Sequence, residues 1–209
     1  MTGFPDAGYF ADLQNTQGAY AYRGMFQGAD QSCWNTTLSG GTNAACLAAN
    51  IGDAAWRCLM AEYLTDHIAT PMFIMNAAFD VYQVQHILDV GCIPKNCTST
   101  QRAQMEGYRK AFVGESFAHV VNRARAVGHG AYIDSCLVHE QNLDYCGGPG
   151  TYNCAGWLTT QVAGMTPQQA YSRWYGGGSR QNLTVDSVAT VAPDPGSNPS
   201  CPWNFDQGV

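Results

Sequence analysis

The chain has 209 residues, 45% of them hydrophobic and only 12% charged, about half the usual charged share of roughly 25%. A net charge of −6 with no basic stripe excludes the phosphate-neutralising surface of a nucleic-acid binder. No apolar run reaches the roughly 18 residues of a membrane-spanning helix, and the length fits a single domain over residues 1–209.

Residues 3–12, G-F-P-D-A-G-Y-F-A-D, read as a loop that follows a strand whose body is not in the sequence, with Pro5 and Gly8 as punctuation. From Gly18 to Asn50, Gly, Ala, Thr and Asn predict loops and short helices. Between Asp53 and Ile68, Trp56, Leu59, Met60, Tyr63 and Leu64 recur at helical spacing, with Asp53 as N-cap. Pro71 then introduces the short apolar run Met72 to Met75, followed by Asn76, two alanines, Phe79 and Asp80. Such a run bounded by breakers suits a buried parallel strand. An acid just past its carboxyl end sits where open α/β sheets place their chemistry.

Farther on, Thr98 and Gln101 form a capping box for a helix from about Ser99 to Val127. Its apolar face is Met105, Tyr108, Phe112, Val113, Val120, Val121, Ala124 and Val127; Arg123 and Arg125 suit its carboxyl end, and Gly128 stops it. After Gly130 the string A-Y-I-D predicts a second strand, followed by S-C-L-V-H-E-Q-N. Thr166 caps a shorter helix that begins with Pro167 and ends at three glycines. The tail from Val191 to Val209 is rich in Pro, Gly and Ser and reads as irregular.

Nine cysteines, Cys33, Cys46, Cys58, Cys92, Cys97, Cys136, Cys146, Cys154 and Cys201, include no C-x-x-C pair. Zinc spacing is therefore not matched, and neither a metal nor a cofactor is expected. Disulfides, and with them an oxidising compartment, are expected. The pairing candidates are Cys46, Cys58, Cys92, Cys97, Cys146 and Cys154. Four residues between Cys92 and Cys97 permit a local bond. Three N-glycosylation sequons, at Asn35, Asn96 and Asn182, agree with secretion. The opening M-T-G-F-P-D-A-G-Y-F has no leader pattern, so either the expected leader lies outside this sequence or the oxidising-compartment expectation fails.

Two polar residues follow strand candidates: Asp80 after M-F-I-M-N, and His139 after A-Y-I-D-S-C-L-V. Displayed at one edge of a parallel sheet, the carboxylate would fix and charge-stabilise an imidazole acting as general base on a hydroxyl nucleophile. The order Asp-then-His is that of α/β-hydrolases. The plainer readings are a turn former or helix N-cap for Asp80 and a satisfied core or surface residue for His139. His67, His86, His119 and His129 have no such context, and His119 on the long helix reads as structural or solvated.

These segments carry a resemblance. T-P-M-F-I-M-N-A-A-F-D-V-Y-Q-V-Q-H-I-L resembles the acid-bearing strand of the pectin acetylesterase/Notum carboxylesterases, and S-C-L-V-H-E-Q resembles their histidine segment. P-D-A-G-Y-F-A-D, G-Y-R-K-A-F, R-W-Y and N-P-S-C-P resemble further family segments, all in family order.

The resemblance implies the C-terminal half of an α/β-hydrolase domain: a mostly parallel sheet flanked by helices. Asp80 is the implied triad acid and His139 the implied base. The implied activity is serine-dependent deacetylation of a pectin-like polysaccharide, in the cell wall or outside the cell; in the Notum branch it is deacylation of a signalling protein. The family's G-x-S-A-G-G nucleophile turn is not in these residues. The nearest string, Gly114-Glu115-Ser116-Phe117-Ala118, falls inside the predicted long helix and is no elbow. Without a nucleophile the chain alone is expected to be inactive. The alternative is a truncated paralogue or secreted binding module. Tyr82 stands where many members have Trp. Glu140 stands where plant members have Cys, which leaves the cysteine pairing near His139 open.

Overall fold

A computed structural model describes residues 1–31, 42–92, 96–141, 155–177, 183–187 and 200–201. Its centre is a parallel sheet of β1 (Phe73–Ala77), β2 (Gly130–Asp134) and β3 (Leu183–Val185), in the order β1-β2-β3. Phe73 pairs with Gly130 and Ala77 with Asp134, so the two longer strands start and end together. Every residue of β1 and β2 is buried, as expected of a parallel sheet covered on both faces.

The segment read as a loop at residues 3–12 is partly a sheet element. Gly3 N donates to Pro71 O, Met75 N to Pro5 O and Ala7 N to Met75 O, all at 2.9–3.0 Å. Gly3 and Asp6 thus run parallel to β1 along its free edge. Strand pairing is a non-local contact, and Pro5 and Gly8 advertise only the local break. β3 was not anticipated either, because three residues carry no readable period.

Side chains alternate across the sheet as strand geometry requires. Ile74, Ala131 and Ile133 face one core with Tyr9, Phe79, Met105, Phe112, Phe117 and Val120. Phe73 and Tyr132 face another with Val162, Ala170 and Trp174. The helices, in chain order, are α1 (Ala21–Ala29), α2 (Ala44–Ala49), α3 (Ala61–Leu64), α4 (Val81–His86), α5 (Ser99–Ala111), α6 (Ala118–Val127), α7 (Ala155–Thr159) and α8 (Pro167–Tyr175). Gly130 lets α8 close on the sheet: a Cβ there would lie 2.6 Å from the Trp174 ring and 2.8 Å from Phe73.

Two predicted helices are interrupted. Asp53 to Ile68 forms a 3₁₀ segment, Gly52–Leu59, then α3, then a 3₁₀ turn, Thr65–His67. Met60, extended at φ −102° and ψ 132°, breaks the run while its side chain stays fully buried. Asp53 lies in the first turn and does not cap it. The long helix divides into α5 and α6 at a π turn, Phe112–Ser116. There Phe117 N donates to Phe112 O across five residues at 2.8 Å. The inserted residue brings Phe112 and Phe117 both onto Tyr9, with ring centroids at 6.0 and 5.5 Å. Periodicity sees the apolar face but not the extra residue. The Thr98–Gln101 and Thr166–Gln169 capping boxes are both present, and Gly128 ends α6 at φ 80°.

Disulfides join Cys46 to Cys58, Cys92 to Cys97 and Cys136 to Cys201. The third pair was not among the candidates, since 65 residues separate its partners and sequence spacing says nothing at that range. In the chain-entropy model a loop of that size contributes roughly 4 kcal/mol. Cys33, Cys146 and Cys154 lie outside the described residues, as do Asn35, Asn182 and most of the Val191–Val209 tail. Asn96 is exposed. Among the described residues, no helix is long and apolar enough to cross a membrane.

Candidate active site

β1 and β2 are register-matched neighbours, so the loops leaving their carboxyl ends emerge side by side. Backbone bonds join the two loops: Ala78 N donates to Asp134 O at 2.7 Å and Val81 N to Val138 O at 3.3 Å. Asp80 follows Ala77 by three residues, and His139 follows Asp134 by five. His139 Nδ1 lies 3.0 Å from Asp80 Oδ1 and 2.9 Å from Oδ2. A carboxylate only accepts, so Nδ1–H donates and Nε2 is left for a reacting group.

Asp80 is the N-cap of α4 and is also the partner of the imidazole. Its side chain accepts from Gln83 N at 3.0 Å and so caps α4, while the same carboxylate receives the imidazole. Asn76 Nδ2 lies 3.5 Å from Oδ2. The Asp80 side chain is 1% exposed and that of His139 is 28% exposed: an almost dry acid beneath a reachable base. The hydrogen bond to Asp80 raises the His139 pKa; burial opposes this, and the charges of Asp80, Glu140 and Asp6 add to it.

The segment 6–12 is fastened around this pair. Gln141 N donates to Asp6 at 3.0 Å, which ties the His139 loop to it. Gln83 is fully buried; its Nε2 donates to Tyr9 O at 3.0 Å, and its Oε1 accepts from Ala11 N at 3.2 Å and Tyr108 OH at 2.8 Å. Asp12 accepts from Arg23 Nη2 at 2.8 Å and Tyr63 OH at 2.6 Å. Sequence reasoning missed Gln83. Its signal was its place three residues after an N-cap aspartate, where a backbone N–H meets the cap. Over the imidazole lies Tyr82, stacked with centroids 5.0 Å apart and planes 25° apart.

The remaining histidines stand elsewhere. His129 is fully buried and accepts from Met72 N at 3.2 Å. Burial pushes its pKa down to about 4, so it is neutral. His119 Nδ1 lies 2.7 Å from Asp66 Oδ2. His86 packs against Tyr82, with ring centroids 4.4 Å apart. Ser116 of the G-E-S-F-A string is 1% exposed inside the π turn, a position unlike a nucleophile elbow. Glu140 is exposed, and Cys136 pairs with Cys201. Among the described residues the one close group of metal-competent side chains is Asp134, Cys136 and Cys201. The disulfide consumes both thiols and leaves a single carboxylate.

The fold has relatives. The structure superposes on the Wnt deacylase Notum from Drosophila with a TM-score of 0.68 and 20% identity, over 96% of this chain and 49% of that one. A second crystal form of the same protein gives 0.68 over 97% and 50%. The sheet with its flanking helices is thus α/β-hydrolase-like. In Arabidopsis thaliana, Pectin acetylesterase 7 is 29% identical over 156 residues and Pectin acetylesterase 11 is 26% identical over 158 residues. Each alignment covers 69% of this chain and 36% of the relative, so the chain spans well under half the length of these relatives. The pectinacetylesterase family model matches residues 1–201, and the chain belongs to the pectinacetylesterase family.

Proposed function

We propose that residues 1–209 are the acid-and-base half of a serine carboxylesterase domain, with Asp80 as the triad acid and His139 as the general base. The observation that carries this is the Asp80–His139 contact at 2.9–3.0 Å, at the carboxyl edge of a parallel sheet in a pectinacetylesterase chain. The nucleophilic serine belongs to the family segment that these residues do not contain. The substrate class is an acetyl ester of a pectin-like polysaccharide outside the cell, by kinship with the pectin acetylesterases.

In this reading the serine oxygen attacks the ester carbonyl while His139 Nε2 takes its proton. The resulting imidazolium is held by Asp80 and gives the proton to the leaving sugar alcohol. Water then repeats the sequence on the acyl-enzyme and releases acetate. Tuning of His139 favours the imidazolium. The base form is therefore available only above its raised pKa, which sets an acid limb to the rate.

The test begins with the transcript upstream of Met1. An in-frame G-x-S-A-G-G turn should be found there. The full product should hydrolyse p-nitrophenyl acetate and acetylated pectin, and His139→Ala should abolish turnover. The 209-residue chain alone should be inactive. A messenger that truly starts at Met1 would instead favour the second reading, an inactive truncated paralogue or secreted binding module. Robust turnover by the 209 residues alone that His139→Ala removes would overturn the claim that they lack a nucleophile.

A further inference from the structure

We infer that Tyr82 is a positioning residue for His139, its ring lying flat on the imidazole and holding it in the orientation that gives Nδ1 to Asp80 and Nε2 to the reacting hydroxyl. The inference rests on the acid–base reading of Asp80 and His139.

The need for such a residue is visible in the hydrogen bond itself. Nδ1 is nearly equidistant from both carboxylate oxygens, at 3.0 and 2.9 Å. A contact so shared anchors the nitrogen but leaves the ring free to swing about it. His139 also sits on a loop, residues 135–141, outside any helix or strand. Something must fix the plane of the ring. Tyr82 offers a near-parallel face at 5.0 Å and 25°. The other aromatic neighbour, Phe10, is farther and tilted, at 6.0 Å and 48°.

Tyr82 is itself well held, although it is 39% exposed. Phe10 and Tyr22 meet it edge-on at 5.8 and 6.4 Å, and His86, one turn along α4, packs on it at 4.4 Å. It lies two residues after Asp80, so one short helix carries both the acceptor and the clamp. The Val81–Val138 backbone bond joins the start of that helix to the His139 loop. Stack and hydrogen bond thus move together.

The electrostatics agree. The π face of a tyrosine attracts a cation, and more so where water is partly excluded. The stack favours the imidazolium in the same sense as the carboxylates around it. These are Asp80 from α4, Glu140 from the histidine's own loop and Asp6 from the N-terminal segment. The remaining titratable groups of the aromatic cluster are Tyr22 and His86, which touch Tyr82.

The test is NMR on the 209-residue chain, with the His139 ring signals assigned through His139→Gln. The ring is titrated and the low-field Nδ1–H proton is followed in Tyr82→Leu, Tyr82→Phe and Tyr82→Trp. Tyr82→Leu should lower the His139 titration midpoint by roughly 0.4–0.7 pH unit and broaden the Nδ1–H signal. Tyr82→Phe and Tyr82→Trp, which keep a ring, should preserve both. An unchanged midpoint and signal in Tyr82→Leu would overturn the inference. So would their loss in Tyr82→Phe, which would put the effect in the hydroxyl. If Tyr82→Leu does not fold, Tyr82→Met, which fills the site without a π face, takes its place with the same expected and overturning results. Failure of the esterase reading looks different: no turnover by the full-length product, with the wild-type Nδ1–H signal intact.

Discussion

Among the described residues, two aspartate–histidine pairs meet at hydrogen-bond distance. Asp80 meets His139 at 2.9 Å, and Asp66 meets His119 at 2.7 Å. The shorter contact is the less interesting one. Asp66 and His119 join a 3₁₀ turn to α6, and both side chains are a little over a third exposed. Water and salt screen such a pair, and its two side chains lose rotamer freedom to meet. Asp80 is 1% exposed, is fixed by its own helix cap, and hangs from a strand whose neighbour carries the histidine. Distance brings an acid and an imidazole together in both places. Dryness, a rigid support and an aromatic lid are found in only one.

The sharpest way to break this comparison is to remove charge from each acid without changing its shape. In the proposed full-length esterase, Asp80→Asn should lower kcat about 10³–10⁴-fold, because the amide neither stabilises the imidazolium nor selects its tautomer. Asp66→Asn should leave kcat unchanged. Ester hydrolysis followed against pH adds a second readout. With His139 raised by Asp80, the acid limb of kcat/KM should fall to lower pH in Asp80→Asn and stay in place in Asp66→Asn. Stability has its own sign. The folded His139 pKa lies above the unfolded one. The stabilisation from its contact with Asp80 is therefore complete below about pH 6.5 and is lost as pH rises through the raised value.

A third acid sharpens the contrast, because it has burial without a cation. Asp134, at the end of β2, is fully buried. Its Oδ1 accepts from Cys136 N at 2.9 Å, while Oδ2 has no hydrogen-bond partner among the described residues. Gln141 lies beside it outside good hydrogen-bond geometry. Burial pushes its pKa up to about 7, with Asp186 and Asp6 adding to the rise. The folded chain therefore holds this proton more tightly than the unfolded chain, whose aspartates titrate near 4. Stability should be greatest below about pH 4, fall as pH climbs toward 7 and level off above it. Urea unfolding at pH 5 and pH 8 should differ by roughly 2–3 kcal/mol from this group. Asp134→Asn should remove most of the difference; an equal slope in that variant would refute the assignment.

How much of this was readable in the sequence depended on the range of the interaction. Asp80 and His139 were visible because each follows a short apolar strand, and strand ends are local features. The capping boxes at Thr98 and Thr166 were visible for the same reason, since donor and acceptor lie three residues apart. The pairing of residues 3–7 with β1, the Cys136–Cys201 bond and the grip of Gln83 on Tyr9 and Ala11 join residues 65 or more apart. No local pattern announces them. The π turn at Phe112–Ser116 fails differently. Its apolar residues keep helical spacing on both sides, and only the core around Tyr9 demands the extra one.

Gly130 tests whether the scaffold, not the residue pair alone, creates the difference. A methyl group at this position meets the Trp174 and Phe73 rings at 2.6–2.9 Å. Trp174 is also tied by its Nε1–H to Gly128 O at 2.8 Å, so it cannot easily retreat. Gly130→Ala should cost roughly 1–3 kcal/mol by overpacking, seen as a lower urea midpoint. It should also shift His139 ring signals more than those of His119, because Gly130 begins the strand that delivers His139.

The smallest expected effect belongs to the exposed pair. His119→Ala and Asp66→Ala should each change stability by about 0.2–1 kcal/mol, and the coupling between them in a double-mutant cycle should fall in the same range. Added salt should shrink that coupling, since both groups face solvent and the Debye length contracts from about 10 Å at 0.1 M to about 3 Å at 1 M. The Asp80–His139 coupling should resist the same salt, because ions cannot enter beside a carboxylate that is 1% exposed. A salt-sensitive Asp80–His139 coupling, or a salt-resistant Asp66–His119 coupling, would mean that burial does not separate the two pairs. The proposed division between a working pair and a surface contact would then lose its physical basis.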